Sequence, residues 1–134
     1  MLTASCNIAD VTVLSVGGRV DAATAPALDA EIERLVLGHR VRVVVDLTET
    51  EYMSSSGAAV LLYWCQRARR NLGDVRLAGP RPRVAMMLHL AAFDLVFAIF
   101  PGVEGALDSF THGPSGTSAE ELRTGAPAKP RPGC

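Results

Sequence analysis

The chain has 134 residues and a formal net charge of −1, with 49% hydrophobic and 20% charged residues. A chain of this length and composition is typical of one globular domain with a single hydrophobic core. Its balanced charge and its 5% aromatic content exclude the basic, aromatic surface that binds nucleic acids, and they provide no attraction to an anionic membrane. Because the single lysine, Lys129, lies near the C-terminus, a phosphate-binding lysine in the folded part is also excluded.

The composition changes once along the chain. Met1–Thr111 shows no repeat and no internal boundary, and we expect it to form one domain. From His112 to Cys134 the sequence is rich in glycine, proline, serine and threonine. Such a segment cannot bury enough apolar surface to offset the entropy lost on ordering. We therefore expect residues 112–134 to be a flexible tail.

The N-terminal part predicts two strands followed by a helix. Apolar residues predict strands over Leu2–Ile8 and Val11–Val16, joined by a tight turn, and the two glycines that follow end the second strand. Thr24 is predicted to cap the helix, with Pro26 in its first turn. The buried face of this helix is predicted from an apolar stripe at helical spacing: Leu28, Ile32, Leu35 and Val36.

The remaining elements alternate between strand and helix. The run Val41–Val45 predicts a central strand covered on both faces, because its apolarity is continuous rather than alternating. A loop over Asp46–Met53 and a long helix to about Leu72 are predicted next. A strand, a helix, a strand and a short helix complete the prediction: Val75–Ala78, Pro82–Leu90, Val96–Phe100 and Val103–Phe110.

This alternation predicts an α/β fold in one domain. The sheet is expected to be mostly parallel, with four to five strands and about four flanking helices, and its first two strands form an antiparallel edge. The apolar run Val84–Phe100 is predicted to pass through a core as helix, turn and strand rather than to span a membrane, since His89 and Asp94 interrupt it. His89 itself is predicted to be a core or boundary residue rather than a base.

Sequence motifs typical of enzymes are absent. The chain has no glycine-rich phosphate loop, dinucleotide fingerprint, nucleophile elbow, paired-histidine zinc motif or Cys-x-x-Cys. We therefore expect no catalytic residue, no metal and no cofactor, and we expect Glu49 and Glu51 to be solvated loop residues. No signal peptide is evident, and an odd number of widely spaced cysteines predicts reduced thiols in a cytoplasmic protein: Cys6, Cys65 and Cys134.

Three consecutive serines, Ser54, Ser55 and Ser56, precede the long helix. From spacing alone, they are explained as capping residues. The face of the helix predicted to pack on the sheet consists of Ala58, Leu61, Cys65, Ala68 and Leu72. The opposite face consists of Ser56, Ala59, Val60, Tyr63, Arg67 and Arg70. An apolar and aromatic cluster flanked by arginines is typical of a protein-binding surface, and the alternative is a valine and a tyrosine that are exposed incidentally.

Four segments together indicate a family. Val43–Thr48 reads Val-Val-Val-Asp-Leu-Thr, and Met53–Gly57 ends in Ser-Ser-Gly before a helix of small apolar residues. Gly18–Leu28 leads into the first helix with a glycine, an aspartate and small residues, and Pro101–Leu107 includes the start of the predicted closing helix. Over roughly residues 2–110 the chain resembles the STAS domain, and more narrowly the bacterial anti-sigma-factor antagonists.

The resemblance implies a switch protein. Unphosphorylated antagonists of this family bind a serine kinase that is also an anti-sigma factor, which frees a sigma factor. Phosphorylation of the serine directly before the glycine prevents this binding, and a metal-dependent serine phosphatase reverses it. By position that serine is Ser56, with Ser55 and Ser54 as alternates; the family usually has aspartate at the place of Ser54. We expect a monomer or weak dimer.

Partner-binding residues are assigned from the resemblance and from the outward face of the long helix together. Asp21 matches a loop aspartate of the family that lies next to the binding surface. The full set is Asp21, Thr24, Ser55, Gly57, Ala59, Val60, Tyr63 and Arg67.

Three other interpretations stay open at this point. Asp46 ends the central strand, as the phosphoacceptor of a receiver domain does, but Asp21 stands alone where that chemistry needs an acidic pair, and no lysine follows a late strand. The second is a nucleotide-binding module that uses the serine loop, although no phosphate cradle is visible. The third is a redox-sensitive interaction domain with Cys65 and Cys134 as partners.

Overall fold

A computed structural model describes residues 1–111 of the chain, and the predicted tail, residues 112–134, lies outside the described residues. The strands are β1 (Leu2–Ile8), β2 (Val11–Val20), β3 (Arg42–Asp46), β4 (Thr50–Met53), β5 (Asp74–Ala78) and β6 (Ile99–Phe100). The α-helices are α1 (Ala25–Leu37), α2 (Ser55–Arg70), α3 (Pro82–Leu90) and α4 (Val103–Thr111). A single turn of 3-10 helix, Phe93–Leu95, precedes β6.

The strands form one mixed sheet with the order β1-β2-β3-β5-β6, and β4 pairs with β2 outside this order. β1 and β2 are antiparallel, and the other pairs are parallel. The predicted α/β class and the antiparallel edge are therefore confirmed. Ala9 and Asp10 join β1 to β2 with φ of 45° and 67°, the positive angles of a tight hairpin turn whose twist matches that of the strands.

The sheet contains six strands rather than the predicted four to five, because Thr50–Met53 forms an additional strand, β4, that pairs with β2. β2 does not end at its two glycines but continues to Val20, with Gly18 at φ 87° and a shift of register after it. From Gly18 onward β2 pairs with Thr50–Met53, which was predicted as part of a loop. The glycines therefore redirect the strand from one neighbour to another instead of ending it.

The core lies on both faces of the sheet. One cluster packs α1, α2 and α3 against alternate strand residues such as Val43 and Val45. A second, smaller cluster packs α4 against Val44 and its neighbours on the other face. The prediction that the central strand is covered on both faces is confirmed. The predicted stripe of α1 is confirmed as well, since each of its members is buried: Leu28, Ile32, Leu35 and Val36.

Helix α2 begins as predicted and ends earlier than predicted. Ala58, Leu61, Cys65 and Ala68 are buried as expected. The helix ends at Arg70, however, so Leu72 is outside it and 93% exposed instead of packing on the sheet. The turn is tight at Gly73, where a Cβ atom would overlap the carbonyl oxygen of Val41.

The apolar run near the C-terminus also differs from its prediction. α3 has the predicted bounds, but β6 is reduced to Ile99–Phe100, because residues 96–98 form a turn and bend after the 3-10 helix. His89 is exposed rather than at a core boundary, and its Nδ1 lies 2.7 Å from the carboxylate of Asp94. Within residues 1–111, no helix has the length and apolarity needed to cross a bilayer.

Candidate functional site

The start of α2 is organised by Ser54. Its backbone N–H donates to the carbonyl of Val20 at 2.7 Å, which attaches the start of the helix to the end of β2. Its side-chain oxygen accepts a hydrogen bond from the N–H of Gly57 at 3.3 Å. Ser54 is thus the N-cap of α2, and the capping role predicted for this serine is confirmed.

Ser55 and Ser56 occupy the first turn of α2 and are exposed. Within the described residues, neither side chain makes a hydrogen bond. Their backbone N–H groups precede the first helical hydrogen bond, which Ala58 donates to the carbonyl of Ser54. An anion at Ser56 would therefore meet unpaired amide groups and the positive end of the helix dipole.

Gly57 faces the sheet rather than a partner. It is buried, and a Cβ atom at this position would lie 2.5 Å from Cγ1 of Val20 and 3.3 Å from Cγ of Met53. Little of Gly57 is therefore accessible to a partner, and its place in the partner-binding surface stays a prediction. The glycine allows α2 to approach β2 closely, which places the two serines before it at the surface.

The turn between β2 and α1 is built by Asp21 and Thr24. The Asp21 carboxylate accepts hydrogen bonds from the N–H groups of Ala23 at 3.0 Å and of Thr24 at 3.1 Å. The hydroxyl of Thr24 accepts from the N–H of Asp21 at 2.9 Å and donates to the carbonyl of Arg19 at 3.0 Å. The hydrogen bond from the Thr24 backbone holds the pKa of Asp21 below its ordinary value, although desolvation acts in the opposite sense.

Thr24 is the N-cap residue of α1 by position, but its hydroxyl does not bond to the first turn of the helix as predicted. Its bonds to Asp21 and Arg19 stabilise the preceding turn instead. Because Ser54 is bonded to Val20, which precedes Asp21, this turn and the serines are neighbours. The structure thus brings Asp21 and Thr24, both half-buried, to the same end of the domain as Ser56.

The outer surface of α2 is defined here by Ser56, Ala59, Tyr63 and Arg67. The first two are exposed, Tyr63 is 53% exposed and Arg67 is half-buried. Arg67 donates a hydrogen bond to the hydroxyl of Tyr63 at 3.3 Å. Val60, predicted on the same face, is half-buried and packs against the core. The surface therefore presents a small residue, an aromatic ring and a cation beside an exposed serine.

Trp64 supports this surface from below and was not predicted from the sequence. It is buried, and its Nε1–H donates to the carboxylate of Asp29 on α1 at 2.6 Å. Its ring meets that of Tyr63 edge to face at 4.9 Å, and the guanidinium of Arg67 lies 5.8 Å from its centroid. Its position in the sequence indicates its burial, because it lies three residues after Leu61 and four before Ala68, and both of these belong to the predicted buried face of the helix. Trp64 fixes both α1 and the exposed tyrosine relative to α2.

The structure offers little support for a metal, receiver or nucleotide site. Among residues 1–111, no group of three histidine, cysteine or acidic side chains could hold a metal ion. Asp46 is buried and accepts hydrogen bonds from the N–H and the hydroxyl of Thr48, so it stabilises the turn after β3. The groove of about 670 Å³ beside it is lined by three acidic residues, which repel nucleotide phosphates: Asp46, Glu49 and Glu51.

Among the described cysteines, the prediction of a reduced thiol is confirmed for Cys65. Cys65 is a free thiol, and burial raises its pKa to about 11. A thiol of this pKa is almost entirely protonated near neutral pH and reacts slowly, which weakens the redox interpretation based on it. Cys134 lies outside the described residues.

Comparison with known proteins shows which family shares this sequence and fold. The family model of the STAS domain matches residues 6–106. The anti-sigma-F factor antagonist RsfB of Mycobacterium tuberculosis is 30% identical over 99 residues, which are 72% of this chain and 79% of RsfB. The crystal structure of an anti-sigma factor antagonist from Mycobacterium paratuberculosis superposes with a TM-score of 0.75 at 28% identity, covering 81% of this chain and 92% of that one.

More distant structures share the fold. SpoIIAA in its unphosphorylated form has a TM-score of 0.72 at 16% identity, covering 82% of this chain and 96% of that one. SpoIIAA of Bacillus in its phosphorylated form has a TM-score of 0.64 at 15% identity, covering 81% of this chain and 99% of that one.

Proposed function

This chain belongs to the STAS domain family, among the anti-sigma factor antagonists, and we propose that it is an anti-anti-sigma factor controlled by phosphorylation of Ser56. In this proposal the unphosphorylated protein binds an anti-sigma factor that is also a serine kinase, and the binding frees a sigma factor. The kinase phosphorylates Ser56, and a serine phosphatase restores the hydroxyl. The protein acts in the cytoplasm by binding, and it catalyses no reaction.

The accessibility of Ser56 is the observation that supports this proposal most. Ser54 is the poorest phosphate acceptor of the three serines, because its oxygen already caps α2 and it is half-buried. Ser55 and Ser56 are both exposed, and neither side chain is hydrogen-bonded within the described residues. Ser56 is preferred because it directly precedes the glycine of the family motif, and Ser55 remains the alternate.

A phosphate at Ser56 can act without unfolding the domain. It adds about −1.5 to −2 charges at neutral pH, and the N-terminus of a helix stabilises negative charge. Arg67 lies eleven residues further along the helix, about 16 Å at the rise of an α-helix, and is held by Tyr63 and Trp64. This arginine cannot neutralise the phosphate, so a partner docking on the outer surface of α2 would have to desolvate the charge.

The partner-binding surface in this proposal is the outer surface of α2 together with the neighbouring turn. Ala59, Tyr63 and Arg67 of this surface provide apolar, aromatic and cationic contacts, the half-buried Val60 adjoins them, and Ser55 lies at the edge. Asp21 and Thr24 shape the turn beside the serines through their mutual hydrogen bonds. The name of the mycobacterial relative, an anti-sigma-F factor antagonist, supports a partner of the anti-sigma class.

Phosphopeptide mapping tests the site directly. The protein is incubated with a candidate anti-sigma kinase and Mg-ATP, and the phosphorylated peptide containing residues 54–56 is sequenced by mass spectrometry. We expect phosphate on Ser56, none in Ser56→Ala, and full incorporation in the matched control Ser55→Ala. Incorporation at Ser54 or Ser55 alone, with Ser56 unmodified, would contradict the assignment.

A further inference from the structure

A second groove lies between the C-terminal ends of α1 and α2. It has a volume of about 390 Å³ and is separate from the serines, which are at the opposite end of α2. We call it the C-terminal groove, and its lining residues are Val36, Leu37, His39, Val41, Arg67 and Asn71.

Two large apolar side chains are exposed at or beside this groove. Leu37, which lines it, is 56% exposed, and Leu72, which follows the lining residue Asn71, is 93% exposed. Exposed leucines contribute little to the stability of the domain. Neighbouring exposed apolar side chains at a concave surface are typical of a contact with another protein.

The backbone at both helix ends supports the same conclusion. His39 and Leu72 have φ of 64° and 65°, a left-handed conformation that glycine adopts without cost and that is unfavourable for other residues. Both ends are closed by backbone bonds of the usual helix-ending type, from Arg40 N–H to Leu35 O and from Gly73 N–H to Ala68 O. Glycine would suit positions 39 and 72 better for folding alone, yet both positions carry large, exposed side chains.

The surroundings of the C-terminal groove are positively charged. Arg67 lines the groove, Arg40 lies between two lining residues in the sequence, and Arg70 precedes the lining residue Asn71. None of these three arginines forms an ion pair with a described residue. The acidic residues of the adjoining elements are largely engaged. Glu31 is paired with Arg34, Asp74 is paired with Arg69 and Arg76, and Asp29 is bonded to Trp64, while Glu33 is exposed.

We propose that the C-terminal groove binds an acidic segment with a large apolar side chain, contributed by the anti-sigma factor that docks on the outer surface of α2. The apolar side chain packs against Leu37 and Leu72, and the carboxylates of the segment meet Arg40 and Arg70. Arg67 joins the two surfaces, because it lines the groove and also bonds to Tyr63. The identity of the partner rests on the proposed function, but the chemistry of the groove does not.

The first experiment does not need the anti-sigma factor. A synthetic twelve-residue peptide of glutamate, aspartate and leucine is titrated into the isotope-labelled full chain and followed by amide NMR shifts. We expect saturable shifts at residues 36–41 and 67–72, and none with a peptide in which lysine replaces the acids. Absence of saturable shifts at these residues would overturn the proposal, whatever the fate of the proposed function.

Variants separate binding from folding. Leu72→Gly relieves the left-handed strain, so we expect it to raise the melting temperature and yet to weaken peptide binding at least tenfold. Arg70→Glu should weaken binding by a similar factor, whereas Arg83→Glu, the same charge change at an exposed arginine on α3, should leave it unchanged. If Arg83→Glu weakened peptide binding equally, the net charge of the protein would explain the loss of affinity. That result would contradict specific binding at the C-terminal groove.

The second experiment measures affinity for the anti-sigma factor itself. Leu72→Gly and Arg70→Glu are each expected to weaken this binding at least tenfold with Ser56 unmodified, and the loss in Arg70→Glu, which changes a charge, should be larger at low salt. If the wild type binds the anti-sigma factor and both variants bind equally well, the groove is not part of that interface and the proposal fails.

Discussion

At the start of α2, three residues have distinct roles that follow from their contacts. The Ser54 oxygen caps the helix, Ser56 presents a hydroxyl to solvent, and Gly57 lets the helix approach Val20. The Ser-Ser-Gly motif, which the family resemblance associates with phosphorylation, therefore also allows α2 to pack closely on β2. The structural and regulatory roles lie on adjacent residues, so they can be tested separately.

Replacing Gly57 by alanine should destabilise the domain. The added methyl would lie 2.5 Å from Cγ1 of the buried Val20, so either the helix or the strand must shift. We expect a loss of about 1–3 kcal/mol in the free energy of unfolding, measured by urea denaturation. Gly102→Ala is the matched control, because nothing lies within 4 Å of a Cβ atom there. Equal stability of the two variants would contradict the close packing of α2 on β2.

Ser54→Ala should lose the N-cap of α2. The N–H of Gly57 would lose its side-chain acceptor, which costs about 1 kcal/mol of stability. Ser56→Ala should change the free energy of unfolding by less than about 0.5 kcal/mol, because its side chain makes no hydrogen bond within residues 1–111. The reverse order of the two effects, measured by thermal or urea unfolding, would show that the capping assignment is wrong.

Cys65 should resist alkylation in the folded protein. With its pKa raised to about 11 by burial, only about 0.1% of this thiol is ionised at pH 8. The buried neutral thiol stabilises the fold at neutral pH, and that contribution is lost as the pH rises towards the folded-state pKa. Iodoacetamide labelling of Cys65, measured by peptide mass, should be slow at pH 8 and fast in urea. Rapid labelling of the folded protein at pH 8 would restore the redox interpretation.

At the scale of secondary structure, elements with a strong hydrophobic period were predicted well. α1 and α3 were placed almost residue for residue, because proline marks each start, and in α1 an apolar stripe also fixes the buried face. The α/β class followed from the alternation of such elements with β-branched runs. Proline positions, apolar stripes and β-branched runs depend only on residues that are close in the sequence, so a single sequence is enough to predict these elements.

The errors occurred where contacts distant in the sequence decide the structure. β4 was missed because it is four residues long and forms only by pairing with the far end of β2. Leu72 was predicted to be buried because its spacing continues the stripe of α2, but the tight packing of Gly73 against Val41 ends the helix first. At the site, the exposure of Ser56 and Tyr63 followed from helical periodicity, whereas the support from Trp64 and Asp29 joins two helices and was not predicted.

Tyr63→Ala should separate binding from stability on α2. The side chain is 53% exposed, and within residues 1–111 its hydroxyl is hydrogen-bonded only to the half-buried Arg67, so we expect less than about 1 kcal/mol of destabilisation. Affinity for the anti-sigma factor should fall about tenfold, since exposed aromatic residues often dominate such interfaces. Met86→Ala, a 57% exposed residue on α3, serves as the control and should not change the affinity. A large drop in melting temperature for Tyr63→Ala would place this ring in the core and contradict the helical register.

At the scale of the whole molecule, α2 connects two surfaces of different chemistry. Its N-terminus presents Ser56, where negative charge is tolerated by the fold, and its C-terminus carries arginines around the C-terminal groove. A partner that spans both ends would lose its contact at Ser56 when that residue is phosphorylated but could keep the contact at the groove. With two separate contacts, phosphorylation of Ser56 would weaken the complex without abolishing it.

The binding of the anti-sigma factor to the phosphorylated and the unphosphorylated chain is the measurement that tests the central claim most directly. Isothermal titration with the purified kinase should show an affinity at least tenfold lower, about 1.4 kcal/mol, when Ser56 carries phosphate. The melting temperatures of the two forms should agree closely, because the added charge lies at the exposed N-terminus of α2. Equal affinity of the two forms, or a loss of affinity that appears only because the phosphorylated chain unfolds, would contradict the proposed switch.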